Sequence, residues 1–252
     1  MSTSAPPGFD DALRVVADVA GWMTDAQARM LWDCAAAVPR GGRIVEIGSY
    51  HGRSAIVLAR AAAEGVEVVT IDPHAGNDRG PQEIRGKADE GELDHQTFLA
   101  NLERAGVRDR IHHVRAGSQE TSPADVAGPI DLLYIDGAHR YRPARDDIRA
   151  WGAQVATDGT MLIHDSFCSV GVTGAIATQL LSSRDVRYID RVGSLARYRR
   201  QPMRSRDRWR SAGRQLAQFP WFVRSVLVKV LFVLRLKPLT RLLGYRSDEW
   251  PY

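Results

Sequence analysis

A chain of 252 residues, 44% hydrophobic and 25% charged, has the size and composition of one globular domain with additions, which excludes a disordered or fibrous chain. Two cysteines, Cys34 and Cys168, without zinc-type spacing exclude a disulfide scaffold and fit a reducing compartment. The net charge is +4, yet residues 1–196 carry 20 Lys and Arg against 27 Asp and Glu, while residues 197–246 carry 14 against one. A mildly acidic domain therefore precedes a strongly basic tail.

The opening MSTSAPPG reads as a frayed start without a basic-then-apolar leader, so the expected location is cytoplasmic. Residues 9–20 and 25–38 read as amphipathic helices, with Thr24 or Asp25 as N-cap, and make residues 1–40 a helical cap. RIVEI at 43–47 is a short, β-branched, buried strand, and Gly48 and Gly52 supply a turn that lets a ligand approach the backbone. Ser54 opens an alanine-rich helix that stops at Gly65. Strand, glycine turn and helix N-terminus form a nucleotide-type binding corner, but the spacing is neither GxGxxG nor GxxxxGK[ST].

A second strand, VEVVTI at 66–71, ends in Asp72, placed to accept hydrogen bonds from ribose hydroxyls. Residues 73–93 lack periodicity and are the candidate substrate lid. A helix at 94–105 stops at Gly106, a third strand covers 110–114, and Gly117-Ser118 follow. IDLLYI at 130–135 is the fourth strand, ending in Asp136 with His139 just beyond. The helix at 141–154 places Arg145, Asp146, Asp147 and Arg149 on a solvated face. The fifth strand, TMLI at 160–163, carries His164-Asp165-Ser166 at its end. A helix at 171–181 and an antiparallel pair, 185–190 with 194–199, close the sheet. Strands alternating with helices predict an α/β, doubly wound, mostly parallel sheet across a domain of residues 41–200.

The extension, residues 201–252, begins with a basic segment too poor in apolar residues to make a core. Residues 219–236 are apolar but interrupted by Arg224, Lys229 and Arg235, and fall short of a bilayer span. An interfacial helix on an anionic membrane and a helix packed against the domain or a second subunit both remain open. No recognition motif accompanies the basic residues, so no nucleic-acid partner is expected.

Glu46, Gly48, Tyr50, Gly52 and Ser54 meet the pattern E-x-G-x-Y-x-G-x-S. It resembles motif I of class I S-adenosylmethionine (SAM) dependent methyltransferases, in the form used by catechol-type O-methyltransferases. The resemblance covers residues 40–200 and implies a seven-stranded Rossmann-like sheet. It also implies that Glu46, Gly48, Ser49, Tyr50, Gly52, Ser54, Asp72, Ser118 and Asp136 hold SAM. In that family an aspartate after strand four binds magnesium and a lysine three residues on is the base. Asp136 matches the aspartate, and His139 stands where the base does. An Asp-Asn pair after strand five completes the family's metal site. Here Asp165 matches, but Ser166 replaces the asparagine. The related macrolide-sugar methyltransferases carry an acidic pair at the positions of His164 and Asp165, which adds His164 to the candidate magnesium ligands.

DGAHRY…HDS also resembles a broad bacterial methyltransferase family of sugar and natural-product pathways. The resemblance thus implies a magnesium-assisted O-methyltransferase with His139 as base. Its acceptor would be a hydroxyl of a sugar, a glycolipid or polysaccharide precursor, or a natural product. A homodimer and a contact of residues 200–246 with the inner face of a membrane are further expectations. Two rivals stand beside this reading: a metal-independent enzyme using His139 alone, and a silent SAM-binding module recruited to membranes.

Overall fold

The computed structural model of the chain describes residues 8–77, 85–123, 126 and 128–246. Seven strands are β1 (Arg43–Ile47), β2 (Glu67–Ile71), β3 (Ile111–Val114), β4 (Ile130–Ile135), β5 (Val155–Ile163), β6 (Val186–Val192) and β7 (Leu195–Arg200). They form one sheet in the order β3-β2-β1-β4-β5-β7-β6. The first five run parallel, and β7 pairs antiparallel with both β5 and β6. Helices α1 (Phe9–Val15), α2 (Asp25–Ala36), α3 (Arg53–Ala61), α4 (Ala88–Arg104), α5 (Tyr141–Ala150) and α6 (Val170–Gln179) cover the two faces. Strand alternation divides the core between those faces. Ile44 packs with Leu31, Ile56 and Leu58, while Val45 and Ile47 pack with Trp151 and Ile163. The doubly wound, mostly parallel sheet expected from the sequence is the fold observed.

The register aligns the strand ends. Ile47 lies opposite both Ile71 and Ile135, and Ile135 lies opposite Ile163. The next residues continue the ladder: Gly48 N donates to Ile71 O at 2.9 Å, Asp136 N to Ile47 O at 2.8 Å, and His164 N to Ile135 O at 2.9 Å. Asp72, Gly48, Asp136 and His164 therefore stand in one row where the strand order reverses, the position at which open α/β sheets bind ligands. Gly48 has φ 85°, and a Cβ there would lie 2.3 Å from Asp136 O. Left-handed strain and overlap together predict that Gly48→Ala costs about 2–4 kcal/mol in a denaturant melt. An unchanged midpoint would show that the β1–β4 junction yields freely.

Four boundaries differ by more than three residues from the sequence expectation, the first being the end of α1, at Val15 rather than residue 20. β5 begins at Val155 rather than residue 160, because Thr157-Asp158-Gly159 reads as a turn yet forms a bulge with Asp158 at φ 63°. The preceding helix accordingly ends at Ala150 and gives way to a 3₁₀ turn, Gly152–Gln154. α4 begins at Ala88 rather than residue 94. Gly91 looks like a breaker, but a Cβ there would meet His74 O at 2.1 Å, so its absence lets the helix press on the loop that precedes it. The candidate lid at 73–93 thus loses residues 88–93 to helix, and its residues 78–84 lie outside the described residues.

The tail continues as α7 (Ser205–Leu216), α8 (Phe219–Val233) and the short α9 (Lys237–Thr240). α7 docks on β6 through polar groups: Tyr188 N donates to Ser211 Oγ at 3.0 Å, and Tyr198 OH lies 3.4 Å from the buried Gln215 Oε1. A basic helix with few apolar residues can pack in this way. α8 sets Trp221 and Phe222 against the sheet core and buries Val228 and Phe232.

Candidate active site

A cleft of about 1310 Å³, counting the solvent at its mouth, opens over the strand ends. Gly48, Ser49, Tyr50, Ser54, Asp72, Ser118, Asp136, His139, His164 and Asp165 all line it. Two residues expected to hold the cofactor, Glu46 and Gly52, are not part of the cleft lining. Glu46 shares the parity of Ile44, so it faces α3 instead of the cleft, fully buried, with the Ser54 hydroxyl bonded to its carboxyl. Burial pushes its pKa up to about 8, against the pull of the Ser54 hydrogen bond. Gly52 caps α3 at φ 87° and packs beneath Phe98 and Leu102.

Asp72 organises the turn it faces. Its Oδ2 accepts from Ser49 N at 2.8 Å and Tyr50 N at 2.9 Å, and its Oδ1 from His74 N at 2.7 Å. Tyr50 (φ 42°), His74 (φ 46°) and Asp165 (φ 54°) hold left-handed backbone on the cleft wall, strain that the surroundings must maintain. Ser49 Oγ is buried at the same wall without a hydrogen-bond partner. The first turn of α3 adds Arg53 and Ser54 to the lining. A cation in the first turn of a helix opposes the dipole, so Arg53 there favours an anionic ligand group.

At the far side of the row, His139 Nε2 pairs with Asp165 Oδ2, which leaves Nδ1 as the nitrogen that could take a proton. Burial disfavours the imidazolium, but the Asp165 hydrogen bond and the charges of Asp165 and Asp136 outweigh it and raise the His139 pKa. His164 Nδ1 lies 3.0 Å from Asp136 Oδ1, a charge contact without hydrogen-bond alignment. From α2, Gln27 Nε2 donates to Ser194 Oγ at 3.0 Å and stands 3.3 Å from His164 Nε2, bracing that imidazole from behind.

Residues 45–166 match the family model described as a methyltransferase domain. Over just under half of its length the chain is therefore similar to methyltransferases. A catechol O-methyltransferase of Mycobacterium tuberculosis is 30% identical over 127 residues, 49% of this chain and 47% of that protein. The chain thus matches about half the length of that relative. Among solved structures, the O-methyltransferase TomG of Streptomyces achromogenes, involved in tomaymycin synthesis and in complex with SAM, is 18% identical. Its TM-score is 0.53 over 77% of this chain and 89% of that one. The calicheamicin methyltransferase CalS11 is 19% identical, with a TM-score of 0.52 over 75% of this chain and 79% of that one. At these identities the structural likeness is one of fold.

Several cleft residues escape sequence reasoning. Asp147, expected on a solvated face, is buried and lines the cleft. Its Oδ1 accepts from Ser118 Oγ at 2.6 Å and Gln119 Nε2 at 2.8 Å, while Trp151 Nε1 donates to Ser118 O at 3.1 Å. Burial lifts the Asp147 pKa to about 6, against those two hydrogen bonds. Its spacing from Ala144, Ile148 and Trp151 places it on the inward face of α5, a signal available in the sequence. Trp22 stacks on Tyr50 at 5.3 Å over the same wall. Asp94 pairs with His51 Nε2 at 3.0 Å and ties α4 to the turn.

The expected magnesium ligands do not fit a hard cation as they stand. Asp165 Oδ2 is taken by His139, and Cys168 Sγ donates to its Oδ1 at 3.1 Å. Asp136 Oδ2 accepts from Tyr134 OH at 2.7 Å, and its Oδ1 faces His164. Ser166, fully buried, donates to Ile163 O at 2.8 Å. Among the described residues no group of three or more His, Cys, Asp or Glu is arranged to hold a metal ion. Magnesium needs several free oxygens in near-octahedral array, and this network commits them to imidazole, hydroxyl and thiol donors.

Proposed function

We propose that this protein moves a methyl group from SAM to a hydroxyl of a small molecule, with His139 as general base, Asp165 as its orienting partner and no metal. Bound SAM would supply an electrophilic methyl group. Asp72, whose Oδ1 has a second lone pair beside the one that accepts from His74 N, would take a ribose hydroxyl. The loop at Ser118 and Gln119, held by Asp147, would meet the adenine. The unpartnered Ser49 hydroxyl and the first turn of α3 would receive the methionine end. Glu46 would act from behind, through Ser54.

The observation that carries the reading is the His139–Asp165 pair on the cleft wall. With Nε2–H directed at the carboxylate, a neutral imidazole presents its Nδ1 lone pair to the acceptor's proton. A catechol-type relative, and the natural-product roles of TomG and CalS11, support a sugar, glycolipid-precursor or natural-product hydroxyl as acceptor. Two unpaired cysteines support a cytoplasmic setting.

Asp165→Asn tests the pairing. Losing the carboxylate should lower both the plateau rate and the apparent pKa of the pH–rate profile, because the charge that favours the imidazolium is gone. Release of S-adenosylhomocysteine should also persist after exhaustive chelation. A rate abolished by chelation and restored by magnesium would return the site to the metal-assisted reading. SAM binding without any S-adenosylhomocysteine from a panel of hydroxyl acceptors would favour a silent module.

A further inference from the structure

We propose that the outer face of α8, with the basic segment that follows it, is a docking surface for an anionic lipid membrane. Phe219, Val223, Leu227, Val230 and Leu234 recur at intervals of three and four residues, so they form one stripe along the helix. All five are exposed, Phe219 at 61% and Leu234 at 59%. The opposite face is the one that packs: Ser225, Val228 and Phe232 are buried, and Trp221 lies against the sheet core. α8 is therefore apolar on both faces and covered on only one, which a freely soluble surface rarely tolerates over such a length. Leu236, Leu239 and Leu242 extend the exposed apolar set, and Leu242 is 83% exposed.

Charge decides what covers this face. Exposed Arg235, Lys237 and Arg241 interleave with those leucines. Across residues 201–246 eleven Lys and Arg face a single acid, Asp207. A symmetric contact with a second copy would bring two such basic surfaces together without compensating charge. An anionic bilayer supplies that charge and accepts the apolar stripe at the headgroup boundary. The helical run Ser205–Val233, 29 residues with a window of mean hydropathy 1.5, has the length and apolarity of a membrane span. In this fold, however, Ser211 bonds to β6, Trp221 and Phe222 lie against the sheet core, and Val228 and Phe232 are buried, Phe232 beside Tyr245 of the tail. α8 alone, at 15 residues, reaches only about 22 Å of the roughly 30 Å hydrocarbon core. The fold therefore favours a helix lying on the membrane.

Flotation of the full chain with phosphatidylcholine vesicles, with and without phosphatidylglycerol, tests the proposal. Binding is expected only where phosphatidylglycerol is present, and should weaken with added salt. Replacing Arg235, Lys237 and Arg241 together by glutamine should reduce partitioning about a hundredfold, at roughly fivefold per charge. Val223→Asp with Leu227→Asp should abolish binding while leaving the thermal midpoint unchanged, since both side chains are exposed. Absence from both kinds of vesicle would overturn the proposal, as would equal flotation with both after the charge substitutions. So would a wild-type dimer that the aspartate pair converts to monomer without any vesicle binding, because the stripe would then be a subunit interface.

Discussion

Replacing His139 by alanine is expected to lower turnover by about 10²–10⁴-fold, the usual contribution of a positioned general base. SAM affinity should stay close to wild type, because the hydrogen bonds that shape the Asp72 wall come from Ser49, Tyr50 and His74. The pH dependence should identify the group. Base action needs the neutral imidazole, so the wild-type rate should rise with pH. The Asp165 and Asp136 carboxylates stabilise the imidazolium against burial, so the rise should fall above the ordinary histidine value of about 6.5. His139→Ala should lose that rise along with the rate. A variant that retains most of its activity, or loses SAM binding in proportion to turnover, would make His139 a structural residue.

Asp72→Ala is expected to weaken SAM binding by about 1–3 kcal/mol, or roughly five- to 150-fold, the range for losing a hydrogen bond to a charged partner. A second effect should accompany it. Three backbone N–H groups, of Ser49, Tyr50 and His74, lose their acceptor together, and two of those residues hold left-handed backbone. The thermal midpoint should therefore fall even without ligand. Glu46→Gln makes the contrast: it keeps an acceptor for Ser54 behind the cleft wall and should change affinity less than Asp72→Ala. Calorimetry showing wild-type affinity in Asp72→Ala would remove Asp72 from the binding site.

Much of the site was legible in one dimension because parallel strands have a simple grammar. Each short apolar run ends at the same edge of the sheet, so the residue after it must stand at the ligand crevice. Asp72, Asp136 and His164 stand out in the sequence on that basis, and the observed register brings them into one row with Gly48. The glycine turn and the helix after it were readable for the same local reason.

Chain neighbours could not decide which face a polar side chain would meet, or what would lie across from it. Glu46 belongs to the binding motif, yet strand parity turns it into the α3 layer. Asp147 sits among charged neighbours, yet the inward face of α5 brings it to Ser118. Gly91 reads as a helix breaker until the loop at His74 packs against it. The largest difference lies at Asp136 and Asp165. As residues they are a hard-cation pair, and their chemistry changes only because Tyr134, His139, His164 and Cys168 fold around them. A carboxylate's ligand is set by whichever donor reaches it first in three dimensions, and that pairing of distant elements is a property of the tertiary structure alone.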